Sequence, residues 1–169
     1  MTRTFITSDT HFGHAGMVKF LRDDGSKLRP WEDVDEMNEA LIDNWNRVVG
    51  DKDRVYHLGD VAMNRRFLPI LGRLKGRKVL IKGNHDNFKL VDYLPHFDDI
   101  RGCHYLDNLI LTHIPIHNGS FEGRFKGNLH GHTHYRQIDD PRYFNSCVEN
   151  TNFTPVDFEL IRSHYDEQS

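Results

Sequence analysis

Short apolar runs alternate with helix-like patterns along the chain. The runs are rich in β-branched residues and predict five strands, at 5–7, 54–58, 78–81, 109–112 and 128–130, with weaker candidates at 142–145 and 156–161. Strands separated by helical segments favour an α/β fold, in which the strands lie buried between layers of helices.

The clearest predicted helix follows Asp33. This residue is a candidate N-cap, and Glu36 stands three residues later, at the spacing of a capping box. Apolar residues then recur on one helical face, at positions 34, 37, 41, 45 and 48. Shorter helices are predicted from His14 to Leu21 and from Arg66 to Leu74. We interpret these apolar stripes as core.

The length of 169 residues is enough for one domain with its own core, which we place at 1–165. Residues 166–169 are expected to form a frayed tail. Two longer irregular segments, 24–31 and 115–126, are interpreted either as functional loops or as plain surface excursions.

Composition narrows the class of protein. The formal net charge of −3 argues against a general nucleic-acid binder, which usually carries a basic excess, so stable nucleic-acid binding is not expected. Cys103 and Cys147 are far apart, which fits two free thiols in a reducing compartment. Since no apolar run reaches the roughly 18 residues of a membrane span, we expect a cytoplasmic protein that does not bind membranes.

Polar residues follow each of the five predicted strands. Because ligands of open α/β sheets gather outside the carboxyl ends of the strands, these residues are expected to converge. In chain order they are Asp9 and His11, then Gly59-Asp60, then Gly83-Asn84-His85-Asp86, then His113, and finally Gly131-His132-Thr133-His134.

The residue types predict a metal site. Glycines directly before several of these groups let the backbone turn sharply and approach closely. Carboxylate, imidazole and amide ligands suit borderline divalent metals, namely manganese, iron, zinc or nickel, of which manganese is favoured. A structural zinc site is less consistent with the pattern, because such sites are rich in thiolates at local spacings.

This ordered set of motifs resembles the calcineurin-like metallophosphoesterase superfamily over residues 9–134. The segments Thr7-Ser8-Asp9-Thr10-His11-Phe12-Gly13-His14 and Val55-Tyr56-His57-Leu58-Gly59-Asp60 are similar to a compact bacterial and phage branch of it. The resemblance implies an α/β fold of two packed mixed β-sheets flanked by helices, the metallophosphoesterase-type four-layer sandwich.

The resemblance also implies roles for single residues. Asp9, His11 and His134 would hold one divalent metal ion, and Asn84, His113 and His132 the other, with Asp60 bridging the two. His85 would be a catalytic histidine that binds no metal.

One departure concerns the residue expected to assist His85. Protein phosphatases of the superfamily have a further Asp where this chain has Met63, which weakens a protein-phosphatase interpretation and leaves the partner of His85 unidentified.

The function that follows is hydrolysis of a small phosphate ester by attack of a metal-bridging hydroxide. No arginine falls inside the motifs, which favours phosphodiesters of the nucleotide or cyclic nucleotide type. The alternatives are a phosphomonoesterase acting on small phosphates or nucleotides and, in another class, a metal-binding module without turnover. Candidate substrate contacts are His14, His117 and Arg124, while His57 is interpreted as a core or supporting histidine.

Overall fold

The computed structural model describes residues 1–121 and 123–167, which fold into two mixed β-sheets flanked by helices. The strands are β1 (Thr4–Thr7), β2 (Arg54–His57), β3 (Arg77–Ile81), β4 (Asp99–Arg101), β5 (His104–Leu106), β6 (Leu109–Leu111), β7 (Gly127–His130), β8 (Tyr143–Asn145) and β9 (Val156–Asp157). The α/β fold with two packed mixed sheets is thus confirmed.

The first sheet has the order β4-β3-β2-β1-β9, in which β9 runs antiparallel to β1 and the other four strands are parallel. The second has the order β5-β6-β7-β8, with β5 antiparallel and the rest parallel. A parallel bridge between Ser8 and Cys147 joins the sheets just beyond β1 and β8. The carboxyl ends of strands from both sheets therefore meet at one edge.

Two apolar clusters sandwich the first sheet. On its outer face, Phe5, Val55 and Leu80 belong to a buried cluster with Met37 and Trp45 of helix α1 (Val34–Val48). On its inner face, a second buried cluster joins the two sheets to helix α3 (Phe158–Glu167). Its members are Ile6, Tyr56, Leu58, Val79, Ile81, Leu109, Leu111, Leu129, Phe158, Ile161 and Tyr165.

Helix α1 begins as predicted at Asp33, whose carboxylate accepts hydrogen bonds from the backbone of Asp35 and Glu36. The reciprocal half of the capping box differs from the expectation, since the Glu36 carboxylate accepts from the backbone of Glu32 at 3.1 Å, one residue before the cap.

Three local predictions need correction. The strand predicted over 156–161 ends at Asp157, because Phe158, Ile161 and Tyr165 follow a helical period and bury one face of α3. The helix predicted over 66–74 is a 3-10 helix at Arg65–Arg73 with Pro69 inside it, a residue that lacks the amide hydrogen of a regular helix. The helix predicted over 14–21 is one 3-10 turn at Ala15–Val18.

The remaining elements are short. Helix α2 is a single turn at Leu90–Tyr93, and the three-residue strands β4 and β5 were not predicted. Of the predicted tail, residues 166 and 167 are helical, whereas 168 and 169 lie outside the described residues. Within the described chain, the helices fall short of the length and apolar character that a membrane crossing requires.

Candidate metal centre

Two groups of side chains gather at the shared edge of the sheets, and each has ligand atoms within 4.8 Å of one another. Site A contains Asp9, His11 and His134, and site B contains Asp60, His113 and His132. Each group draws on both sheets, because Asp9 and Asp60 follow β1 and β2 whereas the other members, apart from His11, follow β6 or β7. Either group can hold a metal ion.

Asp60 lies between the two sites. Its Oδ2 atom is 3.6 Å from Nε2 of His11 in site A and 3.4 Å from Nε2 of His113 in site B. The other oxygen, Oδ1, accepts a hydrogen bond from the backbone of His85 at 2.8 Å, which fixes the carboxylate. One oxygen of Asp60 therefore faces both groups.

Asn84 completes site B. Its Oδ1 atom is 2.7 Å from Nε2 of His113 and 2.9 Å from Nδ1 of His132. The structure thus brings together all seven side chains that the sequence singled out as ligands.

Unpartnered polar atoms show that site A fits a metal ion. Oδ2 of Asp9 takes hydrogen bonds from Ser8 Oγ, from Cys147 Sγ at 3.2 Å and from the backbone of His132 at 2.9 Å. In the described part of the chain, Oδ1 of Asp9 and both ring nitrogens of His11 are buried without a hydrogen-bond partner. Since buried polar atoms are normally paired, the Asp9 oxygen and one nitrogen of the His11 ring are suited to ligation.

The orientation of two imidazoles supports the same conclusion. Nδ1 of His113 is 2.7 Å from the carbonyl oxygen of Leu58, and Nδ1 of His134 is 3.2 Å from Oε1 of Glu149. Metal-binding histidines commonly donate one ring N–H to a carbonyl or carboxylate, which leaves the second nitrogen for the metal. In both residues, Nε2 is the nitrogen that remains.

Strained backbone supplies five of these side chains. Asp9, His11, Asp60, His132 and His134 all have positive φ, between 50° and 71°. This region costs a residue with a Cβ about 1 kcal/mol or more, and such strain concentrates at functional sites.

Gly131 and Gly83 are required for the close approach of the loops. A Cβ at Gly131 would lie 2.0 Å from Ser8 Oγ and 2.4 Å from Asp9 Oδ2, and one at Gly83 would lie 2.3 Å from Asp60 Oδ1. Any side chain at either position would therefore displace a site carboxylate.

A buried ion pair lies behind site A and was not predicted. The Arg29 guanidinium donates from Nε to Oε1 of Glu149 at 2.9 Å, its Nη2 lies 2.8 Å from the same oxygen, and both side chains are completely buried. Arg29 also donates to the backbone oxygens of Asp9 at 2.6 Å and Thr10 at 2.8 Å. Because Glu149 contacts His134, the pair connects two members of site A. A lone arginine within segment 24–31 gave no sequence signal for this role.

Asp86 is a second residue that the sequence did not single out for a role. Its buried carboxylate accepts hydrogen bonds from the backbone of Asp60 at 2.8 Å, Val61 at 3.0 Å and Gly83 at 2.8 Å. It therefore holds the loop after β2 against the loop after β3. Its position at the end of the motif Gly-Asn-His-Asp is the sequence feature from which this role could have been predicted.

Both site carboxylates are held in the ionised form. Burial alone would raise the pKa of Asp9, but the imidazole of His11, whose Nε2 lies 3.6 Å from Oδ1, outweighs it and brings the pKa below its usual range. For Asp60, burial likewise opposes the shift, and His113 lowers the pKa. Burial raises the pKa of the Cys147 thiol, which keeps it protonated as a donor to Asp9.

His85 and His14 lie beside site A. The ring centres of both are 5.7 Å from that of His11. His85 is exposed to solvent, whereas His14 is partly buried, and burial together with neighbouring positive charge lowers its pKa to about 4.

The other substrate contacts predicted from the sequence, His117 and Arg124, are not among the residues that line the cleft beside Asn84 and His113. Nδ1 of His117 accepts a hydrogen bond from the backbone of Gly119 within its own turn, and Arg124 is exposed. Ile116, in the irregular segment 115–126, and Ile114 just before that segment line a cleft of about 380 Å³ together with Asn84.

His57 is a buried supporting residue, as interpreted from the sequence. Its Nε2 is 3.0 Å from Thr10 Oγ1, and its Nδ1 accepts from the backbone of Gly59 at 3.2 Å. Burial lowers its pKa to about 4, so the ring is neutral at pH 7. It connects the loop after β1 with the loop after β2.

Comparisons with known proteins place the chain in a family. The uncharacterized protein MJ1445 of Methanocaldococcus jannaschii is 34% identical over 177 aligned residues, which cover 95% of this chain and 90% of the relative. The gene 66 protein of Mycobacterium phage D29 is 32% identical, over 82% of this chain and 81% of the relative. No model of a known protein family matches. The chain belongs to the family of these archaeal and phage proteins.

The fold also has a counterpart among solved structures. The crystal structure of AQ665, a protein of unknown function from Aquifex aeolicus, superposes with a TM-score of 0.76 at 22% identity, over 96% of this chain and 99% of that chain. A structure described as that of a novel archaeal phosphodiesterase superposes with a TM-score of 0.47 at 20% identity, which is too low to support an argument.

Proposed function

We propose that this protein is a metal-dependent phosphoesterase of the calcineurin-like class that hydrolyses small phosphodiesters. The observation that carries the proposal is the pair of ligand groups sharing Asp60, whose Oδ2 atom lies within 3.6 Å of an imidazole nitrogen in each. Paired metal sites of this kind recur in enzymes that cleave phosphate esters.

The charge of the centre supports an anionic substrate. Of the side chains in sites A and B, two are carboxylates, Asp9 and Asp60, and the others are imidazoles. Two bound divalent ions would exceed this negative charge, so the centre would attract phosphate. When bound, the metals would lower the pKa of a water molecule and stabilise charge on the phosphate oxygens. The nitrogen and oxygen ligands favour manganese, with iron, zinc or nickel as alternatives.

His85 is our candidate for the catalytic acid. Its backbone N–H is fixed to Asp60, its ring lies beside His11, and its side chain is open to solvent. A substrate bound at the two sites would therefore place its leaving oxygen within reach of the imidazole, which would donate a proton to it. We expect His85→Ala to lower kcat by about 10²- to 10⁴-fold.

The arginine next to the centre, Arg29, is not free to bind a substrate, and this favours a diester over a monoester. A monoester carries a second negative charge, which enzymes usually hold with Arg or Lys. The Arg29 guanidinium is fully buried and already engaged by Glu149 and two backbone oxygens, so it is not available to the substrate.

One observation favours the alternative of a phosphomonoesterase. Lys82 is exposed and lines the cleft beside Asn84 and His113, where an ammonium group can hold the additional charge of a monoester. We expect Lys82→Met to leave diester turnover within about twofold and to lower monoester turnover, if any, by about tenfold, the scale of one charge-assisted hydrogen bond.

The test is a comparison of bis(p-nitrophenyl) phosphate with p-nitrophenyl phosphate, using protein loaded with manganese. The proposal predicts faster turnover of the diester, a strong reduction in His85→Ala, and the same metal content in that variant as in the wild type. Faster monoester turnover would favour the alternative. Metal binding without turnover of either ester would indicate a non-catalytic module, and full activity of His85→Ala would remove the assigned acid.

A further inference from the structure

A second cleft opens on the other side of the metal centre. It measures about 410 Å³, within the roughly 300–1,000 Å³ typical of small-molecule sites. We call it the aromatic cleft, and its walls include Phe20, Leu21, Leu28 and Tyr135 beside His132 and His134. It is therefore continuous with the residues that would hold the metals.

The walls of this cleft expose large apolar side chains. Phe20 is 49% exposed and Leu21 is 60% exposed, although both lie in a segment whose backbone is well fixed. Leu21 and Lys27 form an antiparallel bridge, and the backbone of Leu28 donates to Phe20 at 2.8 Å. The exposure thus belongs to an ordered hairpin, residues 20–28, and adjacent exposed apolar groups beside a polar centre are a mark of ligand sites.

Interactions with Tyr135 hold this hairpin at the centre. The Tyr135 hydroxyl accepts a hydrogen bond from the backbone of Asp23 at 3.0 Å, and the Asp23 carboxylate pairs with Arg136 at 3.0 Å. The guanidinium of Arg22 lies 5.2 Å from the centre of the Tyr135 ring. The charge of Arg136 is therefore balanced by Asp23, and both interactions fix the hairpin to the segment after β7.

The Phe20 ring is coupled to the centre through His14. The two rings meet edge to face with centres 5.7 Å apart, and His14 in turn lies 5.7 Å from His11. Gly16 lies under this pair, since a Cβ there would be 2.9 Å from His14 and 3.0 Å from Phe20. A group seated against Phe20 is thus next to site A.

The cleft on the site B side has a different lining. It is lined by His113 and Lys82, by the apolar side chains of Ile114 and Ile116, and by Gly83, Asn84, Gly102 and Thr112. Among the described residues, this lining includes no Phe, Tyr or Trp ring. The two sides of the centre therefore offer different surfaces to the two ester arms of a phosphodiester.

We propose that the aromatic cleft binds the planar ring of a substrate ester arm, with a nucleobase as the fitting chemical class. The inference rests on the proposed function, because the metal centre would hold the phosphate and the cleft would select what is attached to it. A ring stacked in the cleft gains dispersion and aromatic contact with Phe20, and base–aromatic stacking tolerates every base.

Binding of two phosphonates to the manganese-loaded protein tests the inference without turnover. Ethylphosphonate and the 5′-methylenephosphonate of thymidine share a headgroup, and their C–P bond is not cleaved by hydrolysis. Calorimetric titration of each gives a ratio of dissociation constants that isolates the contribution of the nucleoside. We expect the thymidine compound to bind about tenfold more tightly, within the range of a single stacked base.

Two pairs of variants locate that preference. Phe20→Ala is expected to bring the ratio close to one, while Tyr105→Ala, which removes a similarly exposed ring on β5, leaves the ratio unchanged. Leu21→Ala is expected to lower the ratio and Leu94→Ala, at a comparably exposed leucine, to preserve it. Because all four side chains are exposed, the substitutions should leave the fold intact, and a changed ratio then reports on binding.

The outcomes separate this inference from the proposed function. If both phosphonates bind equally well to the wild type, or if Phe20→Ala and Leu21→Ala keep the full preference, the aromatic cleft is not the binding site and the phosphate site stands. If neither phosphonate binds to the metal-loaded protein, the proposed phosphate site is wrong and the inference falls with it.

Discussion

Sites A and B use the same types of side chain but are supported differently. Site A is backed by the buried ion pair of Arg29 and Glu149, and three of its buried polar atoms have no partner among the described residues. In site B, the imidazole of His113 is backed by the neutral carbonyl oxygen of Leu58, the buried carboxylate of Asp86 holds only the backbone of Asp60, and the ligand Asn84 is exposed.

The difference indicates how firmly each site would hold a metal. A charged, fully buried support fixes its ligands and raises their basicity, which generally strengthens metal binding. Neutral support with an exposed ligand leaves more freedom to exchange with water. We therefore expect site A to bind the first metal more tightly and site B to bind the second more weakly.

Asp60→Asn is the change with the largest expected effect, because this residue faces both sites. The amide would keep the shape but remove the negative charge between the metals. Metal-assisted charge stabilisation is worth several kcal/mol, so turnover of bis(p-nitrophenyl) phosphate should fall by on the order of 10³-fold or more. Calorimetry with Mn²⁺ should show weaker binding at both sites.

Asp99→Asn is a suitable control for this experiment, since Asp99 pairs with Arg101 on the surface, on edge strand β4. It should leave turnover and metal binding unchanged. Loss of metal affinity at one site alone in Asp60→Asn would contradict the assignment of Asp60 as a residue that serves both sites.

Glu149→Gln tests whether the buried ion pair is what distinguishes site A. The substitution removes the charge that faces Arg29 and His134, and the loss of such a supporting partner typically costs 10- to 100-fold in metal affinity. The expected result is about that loss in the first Mn²⁺ binding step and little change in the second. Glu149 is charged in the folded protein because Arg29 lowers its pKa against the opposing effect of burial.

The same variant leaves the Arg29 charge buried without its partner, which should destabilise the fold by about 3–5 kcal/mol. Circular dichroism before each titration establishes that the variant is folded, and Glu39→Gln, at an exposed glutamate paired with Arg73, is the matched control. Equal weakening of both binding steps would contradict an assignment of the ion pair to site A.

These supports also mark the boundary of what the sequence could predict. The seven candidate ligands were found because their motifs follow apolar runs, several after a glycine, and because the order of these motifs resembles that of a known superfamily, so the signal lies in short stretches of sequence. Arg29 and Glu149 are separated by 120 positions, and each resembles an ordinary surface residue until the fold buries both. Their partnership depends on tertiary packing and leaves no local pattern.

Among the strands, too, those with a clear local sequence pattern were predicted and those that depend on tertiary packing were not. The strands β2 and β3, whose central positions are apolar and buried, were predicted to within one residue. The strands β4 and β5 have three residues each and mix polar with apolar positions, unlike the equally short but wholly apolar β6, and they are stabilised by pairing with β3 and β6. Residues 156–161 combine two strand residues with the first turn of α3, and an apolar run of that length fits either structure.

His57 contacts the loops that carry both sites, and its neutral imidazole predicts how the stability of the protein changes with pH. Burial lowers the pKa of His57 to about 4, so between that value and its unfolded pKa near 6.5 the unfolded chain binds the additional proton. His57 therefore costs no stability at pH 7 and reduces it as the pH falls, by about 2 kcal/mol at pH 5. Denaturant unfolding of metal-free wild type and His57→Gln at both pH values measures this difference. An identical pH dependence of the two proteins would show that His57 does not titrate in this way.

Asn84→Ala should have the smallest effect and the most selective one. It removes a neutral amide ligand from site B, and we expect the second Mn²⁺ binding step to weaken roughly tenfold, the scale of one hydrogen bond to a charged group. The first step should stay within about twofold, because the members of site A make no contact with the amide among the described residues. Asn44→Ala, which removes an amide on the surface of α1, is the control. A larger loss of affinity in the first Mn²⁺ binding step than in the second would contradict the inferred order, in which site A binds the first metal. Asn84 would then belong to the site of higher affinity.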